Sequence, residues 1–596
     1  MSKTFDAIII GTGQAGPFLA QRLTAAGRKV AIIERKLFGG TCVNTGCIPT
    51  KTLIASAYAA QLARRGAEFG VDTGNVAVDM KRVKARKDEI SGRSNTGVEN
   101  WLRTMNNCTV YTGHARFESS REVRVGDETL TAGSIFINVG GRAVIPELPG
   151  IDEVEYFTNS TIMPVDFLPR HLVIVGGSYI GLEFGQMYRR FGSEVTIIEM
   201  GPRLIHREDE DVSQAIQEIV EREGIHVHLN AKCIQLSARE GGVAAHVDCT
   251  DGPPEVEGSH LLLAVGRRPN TDDLGLEKAG VETDQHGYIR IDDQLRTNVP
   301  GIWALGDCNG KGAFTHTSFN DAEIASANII DNDPRRVSDR IPAYALYIDP
   351  PLGRAGMTEK EALSTGRPLL VGKRPMTKVG RAVEKGESQG FMKIVIDAET
   401  KRILGAAILG TGGDEAIHSI LDVMYAKAPY TLIQRAVHIH PTVSELIPTM
   451  LGELKSSGGP VAKGAPAAPV RDGITSIASS HSVDATLEKL QASLRAKGVK
   501  IFAVIDHSGE AATLGMPMRN TKLIIFGNPK AGTPLMLASP TAALDLPLKI
   551  LIWEDASGQA WLTFNTVEFL RSRHGLPENL SGNIAVIEAL AADAAR

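Results

Sequence analysis

Ala7-Ile-Ile-Ile-Gly11-Thr-Gly13-Gln-Ala-Gly16-Pro17 joins an apolar strand to the start of a helix through a glycine turn. The apolar run Phe5 to Ile10 has the length of a buried strand. Pro17 to Ala26 reads as helix, Gly27 ends it, and Lys29 to Glu34 is the next strand. A glycine turn alone is a weak signal. One that follows a strand, opens a helix and has an acid some twenty residues on is far more specific. Gly11, Gly13 and Gly16 let the backbone approach a pyrophosphate whose charge sits at the helix N-terminus. Glu34 then holds a ribose hydroxyl.

The same arrangement recurs from His171. Leu172 to Val175 is a strand, Gly176-Gly177-Ser178-Tyr179-Ile180-Gly181 the turn, Leu182 to Phe191 the helix, and Glu194 to Glu199 the next strand. Gly11 to Glu34 and Gly176 to Glu199 each span 23 positions. Two such Rossmann units in one chain predict two dinucleotide sites. The second departs from the pattern at Ser178, which puts a small side chain where the phosphate passes. Glu199 accepts from a 2′-hydroxyl and repels a 2′-phosphate, which favours NADH. Arg203 is the residue that would rescue NADPH; its alternative reading is a solvated loop charge, which we prefer.

Between these units lies Cys42-Val-Asn-Thr-Gly46-Cys47. A bridge requires Cα atoms within about 7 Å. A regular helix holds positions five apart farther than that, so the chain must curl, and Gly46 helps it. Pro49 suits a first helical turn and Thr50 to Arg65 reads as helix, so Cys47 lies near a helix N-terminus, where a thiolate is stabilised. A tight ring with one favoured thiolate makes a reducible disulfide. The alternatives are a metal site, which needs more ligands at closer spacing, and two inert thiols. No metal ligand set is assigned. Cys108, Cys233, Cys249 and Cys308 read as buried small hydrophobes.

The stretch Gly39-Gly40-Thr41-Cys42-Val-Asn-Thr-Gly-Cys47-Ile-Pro-Thr-Lys51 resembles the signature of the class I pyridine nucleotide-disulfide oxidoreductases, which include dihydrolipoamide dehydrogenase, glutathione reductase and mercuric reductase. The resemblance covers residues 4 to about 455. Thr297-Asn-Val-Pro-Gly-Ile-Trp-Ala-Leu-Gly306-Asp307 is similar to the second FAD motif, Gly113-His-Ala115 to the stretch packed on the adenine half, and Gly266-Arg-Arg-Pro-Asn270 to the return from the NAD domain. The resemblance implies FAD on Gly11, Gly13, Gly16, Glu34, Gly40, Thr41, Lys51, Ala115, Gly140 and Asp307. It implies NADH, or NADPH, on Gly176, Gly177, Ser178, Tyr179, Ile180, Gly181, Glu199 and Gly266. It makes Cys47 the flavin-side thiol, Cys42 the thiol that attacks substrate, and Lys51 with Glu183 an ion pair beside the flavin. His440-Pro441 matches the family's base, with Glu445 orienting the ring; Glu445 also reads as the third position of a capping box, Thr442-Val-Ser-Glu445. His438 reads as surface or interface packing. A homodimer with shared active sites follows from the resemblance.

The expected fold is α/β: two Rossmann-type nucleotide-binding domains, an α+β dimerisation domain, a linker and a C-terminal α+β domain. The boundaries read as 1–150 and 271–340 for the FAD domain, 151–270 for the NAD(P) domain, 341–455 for the interface domain and 456–472 for a Gly/Ala/Pro-rich linker. The small domain of unknown function spans 473–596. There Val483 to Ala496 reads as helix, and Ile501 to Ile505, Lys522 to Phe526, Leu548 to Trp553 and Trp561 to Phe564 as strands. Asp506 with His507 is a candidate pair against a plain strand end. Gly532 is a candidate helix opening for an anion, and Gly527-Asn-Pro529 reads as a turn. These segments, with Asp545-Leu-Pro547, resemble a small uncharacterised bacterial domain.

Apolar content of 43% and charged content of 22% describe a globular chain, and a formal charge of −5 with no basic stripe argues against nucleic acid. No run approaches a membrane span and no secretory signal is visible, so a cytoplasmic enzyme is expected. The partner is a small-molecule oxidant. No cysteine follows Cys308, no N-terminal metal-capture segment is seen, and His440 stands where mercury enzymes place an aromatic. These departures point to an oxidised-sulfur substrate, as in a similar branch that resists reactive chlorine. A mercuric or other soft-metal reductase is the alternative. A third reading makes the reductase a redox input to a binding or sensing tail.

Overall fold

The structure is a computed structural model that describes residues 2–231, 234–247, 255–457, 473–555 and 558–595. It forms two compact units, 1–457 and 458–596.

In the first unit the strand Lys3–Ile10 runs between Val30–Glu34 and Glu128–Ile137, all parallel, with Ile8 opposite Ala31 on one side and Ile135 on the other. Ala7 to Ile10 are fully buried, as expected of a parallel strand covered on both faces. Cys108–Thr112 extends one edge, Glu122–Val125 and Ala115–Ser119 the other, and Ile302–Ala304 pairs with Glu128–Ile137 from far along the chain. The second nucleotide unit is a parallel sheet in the order His226–His228, Glu194–Ile198, His171–Val175, His260–Leu263. Arg267–Pro269 pairs with Gly141–Ala143, so the return from this unit is a two-stranded ribbon. Both sheets end their central strands at a glycine turn, the crevice where ligands bind in open α/β sheets.

The rest of the first unit is an antiparallel sheet of Ala343–Leu346, Leu352–Gly356, Ile403–Leu409, Phe391–Asp397, Leu369–Pro375 and Lys455–Ser457. The last strand corrects one expectation. Ser456 and Ser457, read as the start of the linker, pair with Leu370 and Leu369. A polar three-residue edge strand has no apolar pattern to betray it. The remainder of that linker, 458–472, lies outside the described residues.

The tail is one antiparallel sheet, Ile474–Ala478, Ala560–Asn565, Leu548–Glu554, Thr521–Gly527, Lys500–Asp506. Leu487, Leu490 and Leu494 of the Val483–Ala496 helix and Ile587, Leu590 and Ala594 of the Val586–Ala595 helix share one core with Ile524, Phe526, Ile550 and Leu562. The anion reading of Gly532 is corrected. That glycine lies inside the helix Pro529–Ala538, whose start is already capped by the Asn528 side chain accepting from the Lys530 N–H at 3.0 Å. Asp506 is likewise a helix cap, accepting from Gly509 N–H at 2.8 Å, while His507 is exposed. Of the other cysteines, Cys308 is buried, Cys108 only half-buried, and Cys233 and Cys249 lie outside the described residues.

Candidate active site

Cys42 sits in the short helix Gly40–Asn44, and Cys47 is the first residue of the helix Cys47–Arg64. Thr45 N–H donates to Thr41 at 2.9 Å, closing the curl. A Cβ at Gly46 would meet the Thr41 carbonyl oxygen at 2.9 Å, so glycine is what lets the two cysteines approach. The two cysteines are unbridged in this structure. Their acidities are driven apart. The hydrogen bond from Cys42 lowers Cys47 to about 6, against burial and aided by Thr315 and the charge of Lys51. The same bond, with burial, pushes Cys42 up. The shifts favour the thiolate on Cys47 over Cys42.

Lys51 follows one helical turn after Cys47. Its Nζ donates to Glu183 at 2.6 Å and lies 4.5 Å from the centre of the Tyr347 ring. Glu183 also accepts from the Tyr347 N–H at 3.1 Å. Thr315, first residue of the helix Thr315–Ser326, brings Oγ1 to 3.2 Å from Cys47 Sγ. Neither Thr315 nor Tyr347 was marked in the sequence, because no motif carries them; pairing across 268 positions is a tertiary fact.

The first glycine turn is tight. A Cβ at Gly11 would lie 2.2 Å from the Asn138 carbonyl oxygen, and one at Gly16 2.4 Å from that of Gly11. Gly40 abuts Gly13 so closely that its Cβ would meet Gly13 Cα at 2.9 Å, which places Thr41 beside the turn. The helix Ala15–Ala25 starts with no side-chain cap, so its first N–H groups face the turn. Buried Glu34 accepts from Thr12 N–H at 3.1 Å and Thr12 Oγ at 2.6 Å. Ala115 is buried at the start of its strand. Gly140 has positive φ and accepts from the Asn270 N–H at 3.0 Å. Burial pushes the Asp307 carboxyl up, with Arg267 at 3.5 Å opposing it. A cradle that only glycine fits, ending on uncapped helix N–H groups, fits the pyrophosphate of FAD.

The second turn repeats this. A Cβ at Gly176 would meet the Ala264 carbonyl oxygen at 2.4 Å, and one at Gly181 that of Gly176 at 1.9 Å. Ser178 is the N-cap residue of Tyr179–Phe191 but its hydroxyl caps nothing, so the departure from glycine leaves the helix N–H groups free. Glu199 accepts from Gly177 and Gly201 N–H groups, each at 2.7 Å. Arg203 is half-buried and donates to the carbonyls of His206 at 3.1 Å and Glu208 at 3.4 Å, which corrects its reading as a solvated charge. Ile180 packs against the core, and Gly266 carries positive φ and accepts from Val144 N–H at 3.0 Å. Tyr179 reaches furthest. Its ring meets Phe314 and Tyr344 edge-on at 6.0 and 5.5 Å, so the second motif touches the residue beside Thr315.

His440 is the predicted residue that the fold does not bring to the thiols of its own chain. Among the described residues no hydrogen bond joins it to either sulfur. Its side chain is 80% exposed, and Nδ1 faces Glu445 Oε2 at 2.9 Å and Oε1 at 3.1 Å. That pairing leaves Nε2 as the free nitrogen. The Glu445 N–H donates to Thr442 Oγ1 at 3.3 Å, so only half of the capping box forms; the carboxylate is spent on His440. Val437 and Ile439, fully and 80% exposed, flank His438. Among the described residues no group of three or more metal-type ligands is found, and no helix is long and apolar enough to cross a membrane.

Comparison with known proteins places this geometry. Residues 5–326 match the pyridine nucleotide-disulphide oxidoreductase family, 342–451 that family's dimerisation domain, and 475–594 a domain of unknown function, DUF302. A probable pyridine nucleotide-disulfide oxidoreductase of Escherichia coli, RclA, is 34% identical over 460 residues, 76% of this chain and 99% of the relative. The dihydrolipoyl dehydrogenase of Bacillus subtilis is 33% identical over 463 residues, 76% of this chain and 97% of its own length. The solved structure of the HOCl-induced flavoprotein disulfide reductase RclA from Escherichia coli as a Cu(II) complex superposes with a TM-score of 0.70 at 34% identity, covering 76% of this chain and all of that one.

Proposed function

The chain belongs to the pyridine nucleotide-disulphide oxidoreductases, an FAD-dependent class that uses NAD(P)H, and from that premise we propose that it reduces an oxidised-sulfur compound through Cys42 and Cys47. The observation that carries this reading is geometric: Cys42 and Cys47 close one six-residue turn at Gly46, with Cys47 at the start of a long helix and the Thr315 hydroxyl 3.2 Å from its sulfur. FAD, when bound, supplies the exchange of electrons between the nicotinamide and the thiol pair. Everything else falls to the chain. Cys47 rests as a thiolate between Thr315 and the Lys51–Glu183 pair. Cys42 keeps its proton until the partner subunit's His440 takes it. The Cys42 sulfur then attacks one sulfur of the substrate, whose other sulfur leaves as a thiolate and takes the proton back from His440. Cys47 attacks the Cys42 sulfur, a second thiolate departs, and the Cys42–Cys47 disulfide closes. Glu445 holds the imidazole with Nε2 toward the exchange. A homodimer is part of the proposal, since it supplies a second copy's exposed His440 to each pair of thiols.

Glu199, fixed by two N–H groups, supports NADH as the preferred donor, and Arg203 is committed to carbonyls of its own loop. A cytoplasmic setting suits the single working cysteine pair. A second reading is a soft-metal ion as acceptor, supported by the RclA structure solved with Cu(II); here the ion would be substrate on the half-buried Cys42 and exposed Cys47. The deciding experiment follows NADH loss with a small disulfide, a hypothiocyanite-type oxidant, Cu(II) and Hg(II) in turn. Turnover of the sulfur oxidants that Cys42→Ser abolishes is the expected result. Turnover of metal ions alone overturns the proposal.

A further inference from the structure

Two helices begin at the same sulfur. Cys47 is the first residue of the 18-residue helix Cys47–Arg64, and Thr315, first residue of the 12-residue helix Thr315–Ser326, sets its hydroxyl 3.2 Å from Cys47 Sγ. Both helix N-termini favour negative charge there.

The Thr315 hydroxyl has no capping duty. That task belongs to Thr317, whose Oγ1 accepts from the Phe314 N–H at 3.2 Å and donates to the Phe314 carbonyl at 2.7 Å. The turn is pinned on its other side as well: His316 Nε2 meets the Ala343 carbonyl at 2.8 Å, and the Phe314 ring stacks on His316 and Tyr344. Thr315 is thus held by its neighbours with its own hydroxyl left for the sulfur. Lys51 is a weaker candidate for sorting the two thiols, because Glu183 at 2.6 Å offsets its charge.

We propose that Thr315 is a positioning residue whose hydroxyl donates to Cys47 and so strengthens the thiolate on that sulfur. This rests on the assignment of the two cysteines above. The hydroxyl favours charge on either sulfur it reaches, but Cys47 combines it with the first position of an 18-residue helix, whereas Cys42 lies inside a five-residue one. A bond made to the charged form and lost with the proton lowers the acid's pKa, and a single such bond is worth about one unit.

The test uses the NADH-reduced holoenzyme of wild type, Thr315→Val, Thr315→Ser and Cys47→Ser. Two readouts are followed from pH 4.5 to 9: the long-wavelength absorption of thiolate beside flavin, and the rate at which iodoacetamide alkylates the Cys47 peptide. Wild type should titrate near 6. Thr315→Val should titrate about one unit higher, so that roughly tenfold less thiolate remains at acidic pH, and Thr315→Ser should stay with wild type. A Thr315→Val midpoint equal to wild type overturns the proposal, as does an equal shift in Thr315→Ser, which would assign the effect to helix geometry. If Thr315→Val fails to load flavin, Thr315→Ala carries the same comparison. Persistence of the band in Cys47→Ser overturns instead the assignment of the cysteines.

Discussion

The α/β nucleotide-binding sheets of the reductase unit and the antiparallel α+β tail both have well-formed cores, yet they spend their polar groups differently. In the reductase unit polar atoms converge from distant parts of the chain on one sulfur and two glycine turns: Thr315 on Cys47, Lys51 on Glu183, Glu199 on two N–H groups. In the tail two of the segments that looked functional are caps, Asp506 on Gly509 and Asn528 on Lys530, while Asp545 pairs with the buried His574 at 2.8 Å. The tail also contains none of the chain's six cysteines, so it cannot receive electrons from Cys42 by thiol exchange.

The largest effect should come from the thiols. Cys42→Ser should lower disulfide turnover by roughly 10³-fold or more, as losing a nucleophile generally does, while keeping the long-wavelength band on NADH addition; Cys47→Ser should lose both. Turnover surviving in Cys42→Ser would erase the contrast between the two units. Next comes His440→Ala, expected to cost about 10²- to 10⁴-fold. Mixing Cys42→Ala chains with His440→Ala chains by co-expression should then restore about a quarter of wild-type activity. Half the dimers are mixed, and one of the two sites in each is intact. No recovery on mixing would mean that each chain completes its own site.

What could be seen in the sequence depended on whether a function is written locally. The turns Gly11 to Gly16 and Gly176 to Gly181 and the pair Cys42 and Cys47 are short-range patterns, and the backbone geometry demands glycine at Gly11, Gly16, Gly46, Gly176 and Gly181. Thr315 and Tyr347 have no such signature: they matter because of a contact across the fold, and a threonine at a helix start reads as a cap. Arg203 misled for the same reason, since its carbonyl partners are set by the loop's path. In the tail Gly532 looked like a helix opening because glycine is unusual inside helices, but Asn528 and Pro529 had already begun one. Ser456 and Ser457 were hidden by being a polar edge strand.

The two nucleotide turns offer a milder test within the reductase unit. NADH should exceed NADPH in kcat/KM, and Glu199→Gln should narrow that preference by about tenfold, the worth of one charged hydrogen bond. Steady-state kinetics with both coenzymes decides it; a wild-type preference for NADPH would reassign the role to a cation, with Arg203 the first to replace.

The smallest effect should come from removing the tail. The reductase unit closes its own interface sheet with Lys455–Ser457, and the tail has a separate core built on Leu490, Ile550 and Leu590. A tail core that shares no residue with the cores of the reductase unit predicts an unfolding event of its own. A chain ending at Ser457 should keep its flavin and stay within about twofold of full-length turnover, because the reductase unit completes its own sheet without the tail. Leu590→Ala in the full chain should destabilise the tail by about 2–5 kcal/mol, the range for a buried leucine. Calorimetry should then show one transition moving down while flavin release stays in place. If flavin release moves with it, the units are coupled, and the tail, despite having no thiol, would be acting on the reductase through its fold.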